Sequence, residues 1–200
     1  MIKKIVLIIL IVAGAGGIVY GVYQYSNYRL TTPAVETGTE EIKGELKPEA
    51  TAVRVYFNNI NLNPNSADCS QVYPLSRVVP KNTVIPQSAL AELFKGPTEK
   101  ERAQGYTSWF SSDTENILKN IKIKAGTAYV DLRDIRQIIP NASTSCGSAG
   151  FLAEVETTLK QFSAVEKVVI ALEGRPDYFY EWIQVGCSPD NNLCDETPFK

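Results

Sequence analysis

From Thr51 the chain alternates. Val53, Val55 and Phe57 fall on one side, Arg54 and Tyr56 on the other. That period of two belongs to a strand with one buried face. Asn58–Ser70 is rich in Asn, Pro and Ser and reads as a loop. A second strand is expected over Val72–Val79, stopped by Pro80, with Pro74 placing it at a sheet edge. The spacing then becomes helical. Ser88 stands as a cap before Ala89, Leu90, Leu93 and Phe94, Gly96 occupies the stop position, and Pro97 forbids continuation. Thr98 and Glu101 form T-x-x-E, a capping box that opens a short helical turn ending at Gly105.

Two strands follow, Ile117–Lys124 and Thr127–Leu132, separated by Ala125-Gly126, a hairpin signal. After a loop through Pro140 and Cys146, an amphipathic helix is predicted from about Ser148 to Gln161. Phe151, Leu152, Val155, Leu159 and Phe162 recur along it at helical spacing. Val165–Leu172 is the most apolar stretch of the domain and reads as a central strand covered by helices. Gly174-Arg175-Pro176 breaks it, and Tyr178–Val185 is expected to return as a last strand. The order is β-β-α-β-β-α-β-β. Hairpins imply a mostly antiparallel sheet, and two main helices cover one face, so the fold class is α+β, a two-layer sandwich.

The first thirty residues follow another pattern. Lys3 and Lys4 precede an uncharged apolar run from Ile5 to Tyr23. As a helix this run would be about 28 Å long, near the thickness of a bilayer's hydrocarbon core. Tyr20, Tyr23, Tyr25 and Tyr28 stand where an aromatic belt would lie. The lysines place the N-terminus in the cytoplasm and the rest outside, as a single-pass protein of the cell membrane. A cleaved signal peptide is the competing reading. Ala13-Gly14-Ala15 fits an A-x-A site, although cleavage there would leave Gly16–Tyr25 as an apolar overhang. Residues 31–50, with five Glu, two Lys, two Pro and two Gly, read as a disordered acidic linker of about 25 Å. The organisation is therefore an anchor over 1–30, a linker over 31–50, a domain over 51–185 and a cysteine-bearing tail over 186–200.

Charge and composition narrow the chemistry. Residues 31–200 carry 17 basic against 22 acidic residues, which argues against nucleic acid as a partner. The chain has no histidine, which removes the usual general base, the histidine-dependent triads and most zinc enzymes. The four cysteines, Cys69, Cys146, Cys187 and Cys194, include no C-x-x-C pair. Cys187 and Cys194 are near neighbours and would close a small loop, leaving Cys69 with Cys146. Four buried thiols are the alternative, disfavoured outside the cytoplasm.

The run ALAELFKGPTEKERAQGYTSWF, the strand GTAYVDLR and the segment GSAGFLAEVETTLKQFSAVEKVVIALEGRP, in that order, resemble the GerMN domain over roughly residues 51–176. The most specific pieces are Gly96-Pro97-Thr98, Val130-Asp131-Leu132 and Gly147-Ser148-Ala149. The resemblance implies an extracytoplasmic bacterial α/β module without accepted catalytic activity, carried on lipoproteins or membrane anchors of the cell envelope. Tandem copies in the sporulation protein that names the family resemble ring-building modules of secretion machines. This chain differs in carrying one copy, an apolar anchor in place of a lipid-attachment cysteine, and four cysteines. A sporulation role is not carried over.

The expected function is that of a membrane-anchored envelope module, not an enzyme, which binds envelope proteins or itself and needs no cofactor or metal. Tyr178, Phe179, Tyr180 and Trp182 are the candidate interface. On a strand, Tyr178, Tyr180 and Trp182 would share one face and Phe179 the other, and completion of the core is the competing role for that face. The alternative is a peptidoglycan hydrolase using paired carboxylates, for which Asp131, Asp134, Glu154 and Glu173 are available. Ser148 is expected to cap its helix and Asp131 to be a surface or capping carboxylate. Asp190–Glu196 is oxygen-rich but lacks the glycine and spacing of a calcium loop, and reads as a solvated tail.

Overall fold

A computed structural model describes residues 49–64, 68–81, 84–188 and 192–200, all within one compact unit. The expected anchor over residues 5–23 and nearly all of the expected linker lie outside the described residues. Among the described residues no helix is long and apolar enough to cross a membrane.

The protein is α+β, with two three-stranded sheets and a helical layer. In the first sheet β1 (Ala50–Asn59) pairs antiparallel with β2 (Tyr73–Pro80), Ala50 opposite Pro80 and Phe57 opposite Tyr73. Helices α1 (Ile85–Phe94) and α2 (Glu99–Ala103) follow. The two-residue β3 (Tyr106–Thr107) then pairs with the other side of β1 at Asn58 and Asn59. In the second sheet β4 (Leu118–Lys124) and β5 (Thr127–Leu132) form a hairpin. Its two-residue turn puts Ala125 at φ 48° and Gly126 at φ 77°, as the right-handed strand twist requires. Helix α3 (Ser145–Lys160) leads to β6 (Lys167–Leu172), which runs parallel to β5, and α4 (Pro176–Trp182) closes the domain.

Helices α1 and α3 pack on each other and on β1, while α1 also reaches β4 and α3 reaches β6. One helical layer therefore bridges both sheets. Val55, Phe57, Leu90, Leu93, Phe94, Phe151, Val155 and Leu159 belong to a single buried cluster with Val130, Leu132, Ile170 and Leu172. The second edge of β1 is finished by side chains of the α3 region. Gln161 accepts from Arg54 N–H at 2.9 Å and donates to Arg54 C=O at 2.7 Å, and Thr158 Oγ1 accepts from Tyr56 N–H at 3.2 Å. The Gln161 amide thus takes the place that a neighbouring peptide would hold.

Four local expectations are corrected. Tyr178–Val185 does not form a strand: Pro176–Trp182 is helical, and Pro176, Phe179, Tyr180 and Ile183 are all buried. Their i, i+3, i+4, i+7 spacing is that of a helix face, and Pro176 in the first turn presets φ. Helix α1 begins not after Ser88 but at Ile85, with Pro86 in its first turn. Helix α3 is capped not by Ser148 but by Thr144, whose Oγ1 accepts from Gly147 N–H at 3.0 Å. Strand β6 ends its sheet, with β5 central, yet Val168–Leu172 are all buried because α3 and α4 both pack against it. Tyr180 helps finish the open edge of β6, its hydroxyl accepting from Ile170 N–H at 3.2 Å.

Two motifs have clear structural work. Gly96, at φ 71°, follows α1 where a Cβ would stand 2.1 Å from Phe110 C=O. Thr98 and Glu101 form the expected capping box, and Glu101 also pairs through both oxygens with Arg77 of β2, at 2.5 and 2.7 Å.

Candidate functional site

A cleft of about 240 Å³ opens where the end of β1, β3 and α3 meet, lined by Asn58, Ile60, Thr107, Ser108, Trp109, Gly150, Glu154 and the bonded pair Cys69–Cys146. Gly150 and Glu154 are one helical turn apart and so share a face of α3. Gly150 lets the Trp109 ring lie against the helix: a Cβ there would stand 2.8 Å from the indole nitrogen. The disulfide joins the β1–β2 connection to the first turn of α3, with Cα atoms 5.2 Å apart.

Glu154 is 1% exposed. Ser108 Oγ donates to its Oε2 at 2.5 Å while accepting from Phe110 N–H at 3.0 Å, which fixes the direction of the hydroxyl proton. The backbone N–H groups of Asn58 and Trp109 also donate to the carboxyl. Burial nevertheless prevails over these donors and pushes the carboxyl up to about 8. A carboxyl raised on folding stabilises the protein in full below its ordinary value near 4.5, and that contribution is lost as pH rises through about 8. Between pH ~6 and ~7.5, stability measured by urea unfolding is therefore expected to fall by up to about 1.4 kcal/mol per pH unit from this group. Glu154→Gln should flatten that slope. Equal slopes in the two proteins would show that Glu154 is ionised when folded.

The other three acids named above gather elsewhere. Lys119 Nζ lies 2.6 Å from Glu173 and 3.5 Å from Asp131. Asp131 Oδ1 accepts from the turn N–H of Gly174 at 2.7 Å, so it fastens the β6–α4 turn and caps no helix. Glu173 Oε1 accepts from Asp134 N–H at 3.2 Å, and Asp134 pairs with Arg136 at 2.6 Å. Hydrogen bonding to Lys119 holds the Glu173 carboxyl below the usual range, and Arg136 does the same for Asp134. A glycosidase pair needs one carboxyl kept protonated, and these two acids are shifted in the opposite direction.

The aromatic segment divides. Phe179 and Tyr180 are core residues, so they leave the candidate interface. Trp182 is half-buried against the rings of Phe151 and Phe179, at 6.5 and 6.2 Å. Tyr178 remains, 41% exposed, with the Arg175 guanidinium 4.3 Å and that of Arg136 5.5 Å from its ring centre. Arg175 is held in turn by Asp177 at 2.6 Å and Glu196 at 2.9 Å. The arginines come from a loop and from the residue before α4, and no periodic signal marked them.

Cys187 joins Cys194, and the tail folds back: Phe199 meets the Tyr129 ring edge-on at 5.8 Å, and Lys122 Nζ donates to the carbonyls of Pro198 and Lys200. Around the expected solvated stretch, Asp190 and Asn191 lie outside the described residues. Among the described residues no group of three or more Cys, Asp or Glu side chains could hold a metal ion.

The family model described as Germane, sporulation and spore germination, matches residues 54–178. Among solved structures, the tandem GerMN domains of the sporulation protein GerM from Bacillus subtilis are 22% identical with a TM-score of 0.46. That match covers 63% of this chain and 40% of the tandem-domain chain. The first GerMN domain of the same protein is 23% identical with a TM-score of 0.43, over 62% of this chain and 84% of that one. No curated protein matches the chain.

Proposed function

The chain belongs to the Germane family of sporulation and spore germination domains, and from that premise we infer that it is a non-catalytic module of the bacterial cell envelope. It is held at the membrane through residues 5–23, with the domain outside, and acts by contact with envelope proteins or with another copy of itself. The observation that carries this reading is the exposed Tyr178 ring with the Arg136 and Arg175 guanidinium groups close to it. Tyr and Arg are the residue types that dominate binding energy at protein interfaces. The ion pairs around the three residues hold the ring in place before any partner arrives, so little side-chain entropy remains to be lost. A hydrolase would need a second carboxylate beside Glu154, and Glu154 is the one acid lining its cleft, while Asp131, Asp134 and Glu173 lie elsewhere, engaged by Lys119 and Arg136.

A photo-crosslinking residue at position 178, in cells, tests the reading. It is expected to capture a discrete envelope partner in the membrane fraction. Tyr178→Ser should fold normally and weaken that partner's binding by about thirtyfold, the loss of a hot spot of about 2 kcal/mol. Unchanged affinity would remove Tyr178 from the interface. The intact mass of the same membrane-fraction protein reads the anchor: a mature chain beginning at Gly16 would show a cleaved signal peptide instead.

A further inference from the structure

We propose that the cleft between Trp109 and Glu154 receives an arginine side chain presented by a partner protein. Its lining contains one acid and no lysine or arginine, so an anion finds no counter-charge there, whereas a cation meets a carboxyl that can release its proton to solvent and pair with it. Its volume of about 240 Å³ lies below the ~300–1,000 Å³ of ordinary small-molecule pockets and suits a single long side chain. Glu154 stands in this cleft with no charged partner among the groups that hydrogen-bond to it. A guanidinium would supply the missing opposite charge and hold the carboxyl ionised.

Arginine fits better than lysine for two reasons. The Trp109 ring, brought onto α3 by Gly150, offers a flat surface on which a planar cation stacks while its edge donates to a carboxylate. A guanidinium is also less strongly hydrated than an ammonium, so entering a half-enclosed cleft costs it less. The surroundings favour a peptide segment over a free small cation. Ile60, 54% exposed, lines the cleft, and Leu62, 56% exposed, follows two residues on. These apolar contacts serve the residues flanking an arginine and do nothing for a free cation. That the carrier is a protein rests on the reading that this domain acts by contact; the preference for a guanidinium does not.

The test uses the full chain in detergent micelles, labelled with 5-fluorotryptophan. Trp109 and Trp182 give two fluorine resonances, assigned with Trp109→Phe. The probes are acetyl-Leu-Arg-Leu-amide, the same peptide with citrulline, which is neutral and nearly isosteric, and acetyl-arginine-amide alone. The arginine peptide is expected to shift the Trp109 resonance saturably and to leave Trp182 unmoved. The citrulline peptide should bind at least about tenfold more weakly, as should the arginine peptide to Glu154→Gln, with the fold checked by melting. Gly150→Ala, which displaces the indole, should also lose the response. Equal binding of the arginine and citrulline peptides would overturn the proposal, as would no Trp109 shift up to ~10 mM peptide, or full affinity in a folded Glu154→Gln protein. Acetyl-arginine-amide binding as tightly as the peptide would overturn the protein carrier. Tyr178 is not part of this cleft, so Tyr178→Ser should leave peptide binding unchanged, and a negative result here leaves the Tyr178 interface standing.

Discussion

Replacing Phe151 by alanine is expected to lower the unfolding free energy by about 4 kcal/mol, within the ~3–5 kcal/mol typical of a buried phenylalanine. Phe151 is fully buried on α3 and is the hub of an aromatic cluster. Its ring centre lies 5.2 Å from that of Phe110, 5.5 Å from Phe179 and 6.5 Å from Trp182. These partners come from three places, the segment after β3, the buried face of α4 and its last turn. Truncation therefore removes the transfer energy of the ring together with the ring–ring contacts, tilted to Phe110 and Phe179 and edge-on to Trp182, that join α3 to both neighbours. Chemical denaturation followed by circular dichroism measures the loss, and Phe151→Leu, which refills part of the space, should lose less than half as much. A loss below about 1.5 kcal/mol for the alanine variant would mean that the cluster closes over the gap.

Removing the Cys69–Cys146 bridge should cost about as much. The two residues are 77 apart in sequence, and cross-linking a loop of that length restricts the unfolded chain by about 4 kcal/mol in the chain-entropy account. The Cys187–Cys194 bridge spans only 7 residues, for which the same account gives about 2 kcal/mol. The double variant Cys69→Ser, Cys146→Ser should therefore unfold at distinctly lower denaturant than Cys187→Ser, Cys194→Ser. The long bridge also borders the cleft, so its loss should broaden the Trp109 resonance, whereas loss of the short one should not. Similar destabilisation by both pairs would show that the unfolded chain is already compact around residues 69–146.

How far the sequence discloses this fold depends on whether the deciding contacts are local. The α1 stop at Gly96-Pro97, the Thr98 capping box, the Ala125-Gly126 hairpin and the apolar face of α3 are each fixed within a few residues, and each was legible. The cysteine pairing was legible too, because the short spacing of Cys187 and Cys194 left one other pair. Helix α4 is disguised in the sequence because Tyr178-Phe179-Tyr180 is a run of strand-favouring aromatics that hides the spacing of Pro176, Phe179, Tyr180 and Ile183. The Thr144 cap is not distinguished by local signals because Ser148 offers an equally good one, and which of them caps depends on where the preceding 3₁₀ turn, Pro140–Ser143, delivers the chain.

The sites were harder to see. Glu154 was visible as an acid, but the hydroxyl that meets it is 46 residues away in Ser108, and its burial depends on packing that no spacing encodes. Likewise Tyr178 stood out as an aromatic, whereas the two arginines that frame it are 42 residues before it and three before it, in segments without periodicity. No sequence motif sets any two of the acids together, yet the fold gathers three of them around cations and leaves the fourth in the cleft.

The Gln161 amide on β1 bears on crowding. Copies of a module tethered to one membrane would meet side by side at high local concentration, where unpaired strand edges template aggregation. At Arg54 and Tyr56, the edge of β1 away from β2 is already occupied by Gln161 and Thr158. The edge of β2 carries Pro74 and Pro80, neither of which has an N–H to offer an incoming strand. Encounters between neighbours are thereby steered away from indiscriminate backbone pairing and toward side-chain surfaces, where identity is read. Gln161 would thus guard specificity among tethered copies, and its replacement would be felt first as clumping between them, before any loss of fold.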